Sequence, residues 1–283
     1  MTNFSILENK TFLQLLPKRD ADSDKRSAGA PLIVAGSSQF PGAAVLCALG
    51  AARAGAGYVT VATATGAADA LRAHLIEQVV VTISDDVSAK EAAEDIVSIA
   101  GRNGSIGIGP GLGLDDRTGK IVRGIITKNI LPMVIDASAL FHLAKHLDEL
   151  HDKPIVLTPH EGEFARLSGR GTIAKGEREQ RLREFVDRTG ITTLLKGNDT
   201  LIYDGSTMHV NPTGTNTLAT AGTGDVLTGI IATLLSQGLS PVDAARVGAY
   251  WHGLAGQTAA KRRPIGVIAS DIIDALAEAV PKI

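Results

Sequence analysis

Short apolar runs rich in Val and Ile alternate along the chain with longer Ala- and Leu-rich segments. The runs lack a clean apolar–polar alternation, as is typical of strands that helices cover on both faces. The pattern therefore predicts repeated βαβ units around a parallel sheet. The predicted strands are PLIVAG 31–36, YVTVA 58–62, QVVVT 78–82, SIGIG 105–109, PMVID 132–136, PIVLT 154–158 and TTLLK 192–196. The predicted helices cover residues 42–54, 89–100, 116–127, 175–189, 222–237 and 241–260.

One stretch breaks this rhythm, TTLLKGNDTLIYDGSTMHV at residues 192–210. Gly-Asn-Asp and Asp-Gly-Ser separate three consecutive β-like runs there, in the manner of antiparallel hairpins. No Pro/Ser-rich linker or long repeat divides the chain, so residues 1–283 are expected to form a single domain. The expected fold class is α/β, with a mostly parallel central sheet, antiparallel edge strands and helices on both faces.

The bulk composition narrows the class of protein. Of 283 residues, 44% are hydrophobic and 20% are charged, a soluble globular composition. The 28 basic and 30 acidic residues are spread along the chain, which argues against a nucleic-acid partner. No window resembles a membrane span and the first residues lack a secretory signal, so we expect no membrane partner and a cytoplasmic protein. Cys47 is the only cysteine, which rules out an internal disulfide or a cysteine-based metal site.

The stretch TAGTGDVLTG, residues 220–229, combines a small-residue turn with the start of an apolar-periodic helix. Backbone N–H groups of Gly222, Thr223 and Gly224 are thus expected at a helix N-terminus, which favours bound anions. The positive end of the helix dipole at this N-terminus is expected to lower the pKa of Asp225 and keep it ionised. An ionised carboxylate repels phosphate, so Asp225 either faces a substrate hydroxyl or merely caps the helix. No Gly-Lys-Ser/Thr follows, unlike a P-loop.

Four other motifs sit at predicted strand ends or helix starts, and each has an ordinary structural explanation as well. GIGPGLGLDD at 107–116 could expose N–H groups to a ligand or use glycine for steric reasons. In VLTPHEGEFARL, 156–167, a helix is expected to start near Pro159, so that His160, Glu161 and Glu163 project at the sheet edge. They could face a ligand, or be a surface histidine and two helix-stabilising glutamates. In LLKGNDT, 194–200, the lysine could neutralise phosphate or be a solvated turn residue. The small-residue segment after FPGAA, 40–44, permits close packing or close approach of a large ligand.

Taken in chain order, FPGAA, GPGLG, DASAL, TPHEGEFARL, LLKGNDT and ATAGTGDVLTGIIA resemble the ADP/ATP-dependent NAD(P)H-hydrate dehydratase family of the ribokinase-like superfamily. The resemblance runs from about residue 25 to 275, and the set is highly specific although each motif alone is weak. Related thiazole and pyrimidine vitamin kinases typically carry Cys in place of Asp225. The chain departs from the usual family pattern at Ser138 and Phe141. The resemblance implies a ribokinase-like three-layer sandwich.

The resemblance also implies an activity and a division of the site. The S epimer of hydrated NADH or NADPH is dehydrated back to the working cofactor, driven by ADP, giving AMP and phosphate, or by ATP, with Mg²⁺. By this similarity the hydrate contacts Ala44, Gly113, His160 and Asp225, and Asp225 acts as the catalytic general base. The nucleotide lies against Lys196, Gly197, Asn198, Asp199, Thr200, Gly222, Thr223 and Gly224. Bacterial members generally use ADP, and the metal ligands stay unassigned.

Partners follow from the same resemblance. The small-molecule substrates are the hydrates of NADH and NADPH together with ADP or ATP. The resemblance also implies a homo-oligomer, specifically a tetramer. It implies a separate NAD(P)H-hydrate epimerase that supplies the other half of the repair. The alternative function is a ribokinase-like vitamin-precursor kinase that stops after phosphoryl transfer. A third, a nucleotide-binding regulator without turnover, is disfavoured because a mere binding loop does not need Asp225.

Overall fold

A ten-stranded sheet forms the centre of the computed structural model, which describes residues 4–19, 22–150 and 153–282. The strands are β1 (Phe4–Ile6), β2 (Pro31–Val34), β3 (Thr60–Ala64), β4 (Val79–Ile83), β5 (Ser105–Ile108), β6 (Met133–Ile135), β7 (Ile155–Leu157), β8 (Thr192–Leu195), β9 (Leu201–Tyr203) and β10 (Met208–Val210). Their order across the sheet is β1-β10-β9-β8-β7-β6-β5-β2-β3-β4. Only the pairings of β9 with β8 and with β10 are antiparallel among the described strands.

Helices cover both faces of this sheet. They are α1 (Asn9–Leu15), α2 (Pro41–Arg53), α3 (Ala68–His74), α4 (Ala89–Ala100), α5 (Asp116–Lys128), α6 (Ala137–Leu143), α7 (Glu161–Ser168), α8 (Arg178–Thr189), α9 (Thr223–Ser236), α10 (Pro241–Arg262) and α11 (Ala269–Ala275). One apolar core lies between the sheet and α1–α3 and α9–α11, and a second lies between the sheet and α4–α8. The predicted three-layer α/β sandwich is confirmed.

The predicted strands and helices are present, and their bounds differ by a few residues. The largest difference is at α8, which begins at Arg178 rather than 175 because Gly176 has a φ of +88°, outside the helical region. Helix α7 begins at Glu161, with His160 as its N-cap, rather than near Pro159. The outer strand β1 was not predicted; it pairs in parallel with β10 and puts the antiparallel strand β9 inside the sheet.

Helix α9 packs directly on α2, and this contact decides where the N-terminus of α9 lies. A Cβ on Gly229 of α9 would stand 2.0 Å from the carbonyl oxygen of Cys47 in α2, so the two backbones approach closely. A Cβ on Gly50 would likewise stand 2.8 Å from the carbonyl oxygen of Val226. The small residues of α2 therefore serve close helix packing. Within the described ranges, no helix has both the length and the apolar character needed to cross a membrane.

Candidate active site

The carboxyl ends of three adjacent parallel strands bring polar side chains to one edge of the sheet. Asp136 follows β6, His160 lies three residues after β7, and Lys196 directly follows β8. The start of α9 meets the same edge, since a Cβ on Gly224 would stand 3.5 Å from Nζ of Lys196 and 3.8 Å from Oδ2 of Asp136. Open α/β sheets bind ligands at this edge.

The first turn of α9 is built on a left-handed glycine. Gly222 is the N-cap with a φ of +89°, and a Cβ there would stand 2.5 Å from Cδ1 of Leu46. The hydroxyl of Thr223 donates to the carbonyl oxygens of Leu218 and Thr220, at 2.8 and 3.0 Å, which fixes the turn. The N-cap residue is a glycine without a side chain, and within the described residues the carboxylate of Asp225 makes no hydrogen bond to the backbone of this turn, so Asp225 does not have the capping role that was one of its two interpretations. The backbone N–H of Thr223 donates to the carbonyl oxygen of Thr220 at 3.4 Å, so the N–H groups of Gly224 and Asp225 are the ones left for a ligand.

Lys196 lies among carboxylates. Its Nζ donates to Oδ1 of Asp136 at 2.8 Å and lies 3.9 Å from Oε2 of Glu163. Thr228, one turn into α9, donates its hydroxyl to the other Asp136 oxygen at 2.8 Å. Burial disfavours the charge on Lys196, but the carboxylates of Asp136 and Glu163 outweigh it and raise the pKa of the ammonium. The lysine thus stays positive beside the helix start.

The same surroundings shift the pKa of Asp225 in the direction opposite to the prediction. Burial, followed by the negative charge of Asp136, raises the pKa of Asp225 to about 7, although Lys196 opposes the shift. The expected lowering by the helix field was therefore wrong, because desolvation and a neighbouring carboxylate outweigh the dipole here. A carboxyl group that titrates near neutral pH is well matched to accepting a proton from a substrate.

A cleft of about 800 Å³ opens beside this cluster. Of the predicted site residues, those that line it are His160, Lys196, Gly197, Asn198, Thr200, Thr223 and Gly224. The nucleotide-binding candidates of the two loops therefore meet at one cavity, apart from Asp199 and Gly222, which are not on its wall. Asp225 follows Gly224 in α9 and is likewise absent from the wall.

Two of the predicted hydrate contacts, Ala44 and Gly113, lie at the same edge but outside this cleft, whereas His160 lines its wall. Ala44 is fully buried in the first turns of α2. Gly113 lies in the loop between β5 and α5, where its carbonyl oxygen is 3.0 Å from Nε2 of His142. His160 caps α7: its Nδ1 accepts from the backbone N–H groups of Gly162 and Glu163, at 3.0 and 3.3 Å. The capping role leaves its exposed ring on the wall of the cleft.

Asp136, Thr228 and His252 are among the side chains of this region that were not assigned from sequence. Asp136 had a usable signal, since it directly follows a buried strand at the ligand-binding edge. His252 had none, because it lies within the long helix α10. Burial lowers the pKa of His252 to about 4, so a neutral imidazole lines the cleft at pH 7.

The mostly parallel sheet, with helices on both faces and a glycine-containing helix start and a buried carboxylate at its carboxyl edge, is a ribokinase-like architecture by its likeness to solved structures. A ribokinase-like superfamily protein from Enterococcus faecalis V583 superposes with a TM-score of 0.86 at 28% identity, over 98% of this chain and 95% of that one. The ADP/ATP-dependent NAD(P)H-hydrate dehydratase from Bacillus subtilis, co-crystallised with ATP and Mg²⁺, gives a TM-score of 0.83 at 30% identity, over 96% of both chains.

The chain belongs to the NAD(P)H-hydrate dehydratase family, whose sequence model matches residues 31–278. The family predicted from the motifs is thereby confirmed. The chain is also 38% identical over 271 residues to the bifunctional NAD(P)H-hydrate repair enzyme Nnr of Moorella thermoacetica. That match covers 92% of this chain and 51% of the relative, so the chain spans about half the length of the curated relatives it matches.

Proposed function

We propose that the protein dehydrates the S epimer of hydrated NADH and NADPH, using the phosphoryl group of ADP or ATP. The observation that carries this proposal is the place of Asp225. It lies in the first turn of α9, immediately after Gly222-Thr223-Gly224, and its pKa is about 7. Family membership supports the substrate class, and the name of the Bacillus subtilis relative supports the nucleotides.

The chemistry needs both a base and an anion site because hydroxide is a poor leaving group. In the proposed first step, Asp225 accepts the proton of the ring hydroxyl while the hydroxyl oxygen attacks the terminal phosphorus of the nucleotide. The bond between that phosphorus and the departing nucleotide breaks in the same step. The N–H groups at the start of α9 hold the transferring phosphoryl group. Electron donation from the ring nitrogen then expels phosphate, and loss of a proton from the adjacent ring carbon restores the double bond.

The residues present fit a Mg²⁺ ion that arrives with the nucleotide. In residues 4–19, 22–150 and 153–282, no three or more His, Cys, Asp or Glu side chains are grouped to hold a metal on their own. Mg²⁺ is commonly held by phosphate oxygens, waters and one or two carboxylates. Two carboxylates lie at the start of α9: Asp225 in its first turn, and Asp136, whose Oδ2 would stand 3.8 Å from a Cβ on Gly224. When bound, the ion supplies positive charge at the transferring phosphoryl group.

The finer assignments extend this proposal. The hydrate contacts Ala44, Gly113, His160 and Asp225, and the nucleotide occupies the cleft between residues 196–200 and residues 222–224. Support comes from the shared sheet edge and from the cleft that the two loops line. We further propose one domain, a homo-oligomer in the cytoplasm, and a separate epimerase that converts the R epimer to the S epimer.

The direct test is recovery of the reduced nicotinamide absorbance from hydrated NADH, with Mg²⁺ and either ADP or ATP. The proposal predicts recovery that needs a nucleotide, with one phosphate released per cofactor restored. Accumulation of a phosphorylated hydrate without recovery would indicate a kinase that stops after transfer. If neither nucleotide supports recovery, the proposed function is wrong.

A further inference from the structure

Arg178, the first residue of α8, contacts both chain segments that border the cleft on the side of β7 and β8. Its Nη1 donates to the carbonyl oxygen of Asp199 at 2.9 Å. Its Nη2 donates to the carbonyl oxygens of Lys196 and Leu195, at 3.2 and 3.4 Å. Its Nε lies 2.9 Å from Oε1 of Glu161 in an ion pair whose N–H is not directed at the carboxylate. One guanidinium therefore connects the loop 196–200 with the start of α7.

The loop is shaped around this guanidinium. A Cβ on Gly197 would stand 2.3 Å from Nη2 of Arg178 and 2.8 Å from its Cζ, so glycine is what lets the planar group lie against the backbone. Three carbonyl oxygens converge on one fork of N–H donors, which suits arginine and does not suit the compact ammonium of lysine. The contact thus depends on the shape of the group as well as on its charge.

Arg178 itself is absent from the wall of the cleft, whereas Lys196, Gly197, Asn198 and Thr200 line it. The arginine therefore acts on a ligand only through the conformation of the loop. Glu161, which does line the cleft, is held by the same side chain and follows the capping residue His160. The ion pair of Arg178 and Glu161 therefore connects the nucleotide loop to the start of α7, where the His160 cap fixes the geometry.

We infer that Arg178, anchored by Glu161, is a positioning residue that holds loop 196–200 in the conformation that binds the nucleotide. The inference rests on the proposed nucleotide role of this loop. Without the guanidinium the loop turn loses three charged hydrogen bonds, and the nucleotide then has to order the loop on binding. The loss therefore falls on nucleotide affinity rather than on the chemical step.

The test compares Arg178→Lys and Arg178→Gln with the wild-type protein. We expect the KM for the nucleotide to rise roughly tenfold or more, as for loss of hydrogen bonds to a charged group, while kcat and the KM for the hydrate change far less. Glu161→Gln is expected to change the nucleotide KM in the same direction by less. A purely structural role would instead lower the melting temperature and the active fraction, and leave the nucleotide KM unchanged.

Arg183→Lys is the matched control. Arg183 lies on the same helix with a similarly covered side chain, 24% exposed against 21% for Arg178, and its ion pair is with Glu179 rather than with the loop. Its nucleotide KM should equal that of the wild type. Calorimetric titration with ADP and Mg²⁺ gives the same comparison without turnover, so the inference is testable even if dehydration fails. Wild-type ADP affinity in both Arg178 variants would overturn it.

Discussion

Two glycine-rich turns meet at the carboxyl edge of the sheet, the turn after β5 and the turn that starts α9, and Gly224 in the second differs from the glycines of the first. In the turn after β5, Gly109 has a φ of +127°, and a Cβ there would stand 1.8 Å from the carbonyl oxygen of Asp136. Gly111 has a φ of +65° and a similar conflict, at 2.6 Å from the carbonyl oxygen of Phe40. At Gly224, by contrast, the nearest atom to a Cβ is Nζ of Lys196, at an ordinary 3.5 Å.

The fold itself therefore requires glycine at positions 109 and 111 in the turn after β5, but it leaves room for a side chain at Gly224. Helical backbone at that position also favours alanine over glycine. The space beside Gly224 is best explained by a ligand that approaches the backbone closely, as a phosphate does at a helix start. Gly109 and Gly111, and likewise Gly222 in the second turn, are glycines that the fold needs, whereas Gly224 is the one that the proposed chemistry needs.

The largest effect on stability is expected from Gly109→Ala. A Cβ overlapping a backbone carbonyl adds steric conflict to the cost of a left-handed backbone, so the free energy of unfolding should fall by about 3 kcal/mol or more. Denaturant unfolding measures it. The matched control is Gly171→Ala, which has a φ of +61° but open space around the Cβ, and should lose only about 1–2 kcal/mol. Equal losses in the two variants would contradict the steric explanation.

Gly224→Ala is expected to reverse this pattern. Its melting temperature should be unchanged or higher, whereas its affinity for ADP should fall by roughly tenfold or more, the equivalent of about 1.4 kcal/mol. Calorimetric titration and thermal melting provide the two numbers. Gly42→Ala is the control, because Gly42 is also the second residue of its helix and has open space around the Cβ. Normal ADP affinity in Gly224→Ala would show that the space beside Gly224 does not serve the phosphate.

A smaller effect is expected from a change at Asp136, which follows β6 and whose charge acts on Asp225. The charge of Asp136 raises the pKa of Asp225, so Asp136→Asn should lower it. A general base works only when ionised, so kcat should rise with pH through about 7 in the wild type. In the variant this acid limb should move to lower pH, by roughly one unit or less. Asp116→Asn removes an exposed carboxylate at the same edge and should leave the limb in place. An unmoved limb in Asp136→Asn would contradict the electrostatic account.

Much of the fold could be predicted from the sequence because its signals are local. Continuous apolar runs indicated the central parallel strands, and the turn residues at 197–199 and 204–206 indicated the reversals around β9. Strand β1 was not predicted, because it is three residues long and two of them, Phe4 and Ile6, are exposed. A short outer strand paired to a distant partner carries too little pattern to recognise.

The candidate site was predictable in outline and not in its electrostatics. The motifs located the loops at one sheet edge, since strand direction determines which ends meet. The pKa of Asp225 could not be predicted, because its shift depends on burial and on Asp136, a residue far away in the chain. Arg178 was missed for a similar reason: its partners come from α7 and from the loop after β8, and no sequence spacing relates the three.

The central claim is that Asp225 accepts the proton of the substrate hydroxyl while the backbone beside it holds the phosphoryl group. The most direct measurement is the rate of absorbance recovery from hydrated NADH by Asp225→Asn, alongside its affinity for ADP. Asparagine preserves the shape of the side chain but cannot take the proton, so kcat should fall by roughly 10²–10⁴-fold while ADP binding is retained. Near-normal turnover in Asp225→Asn would contradict the account.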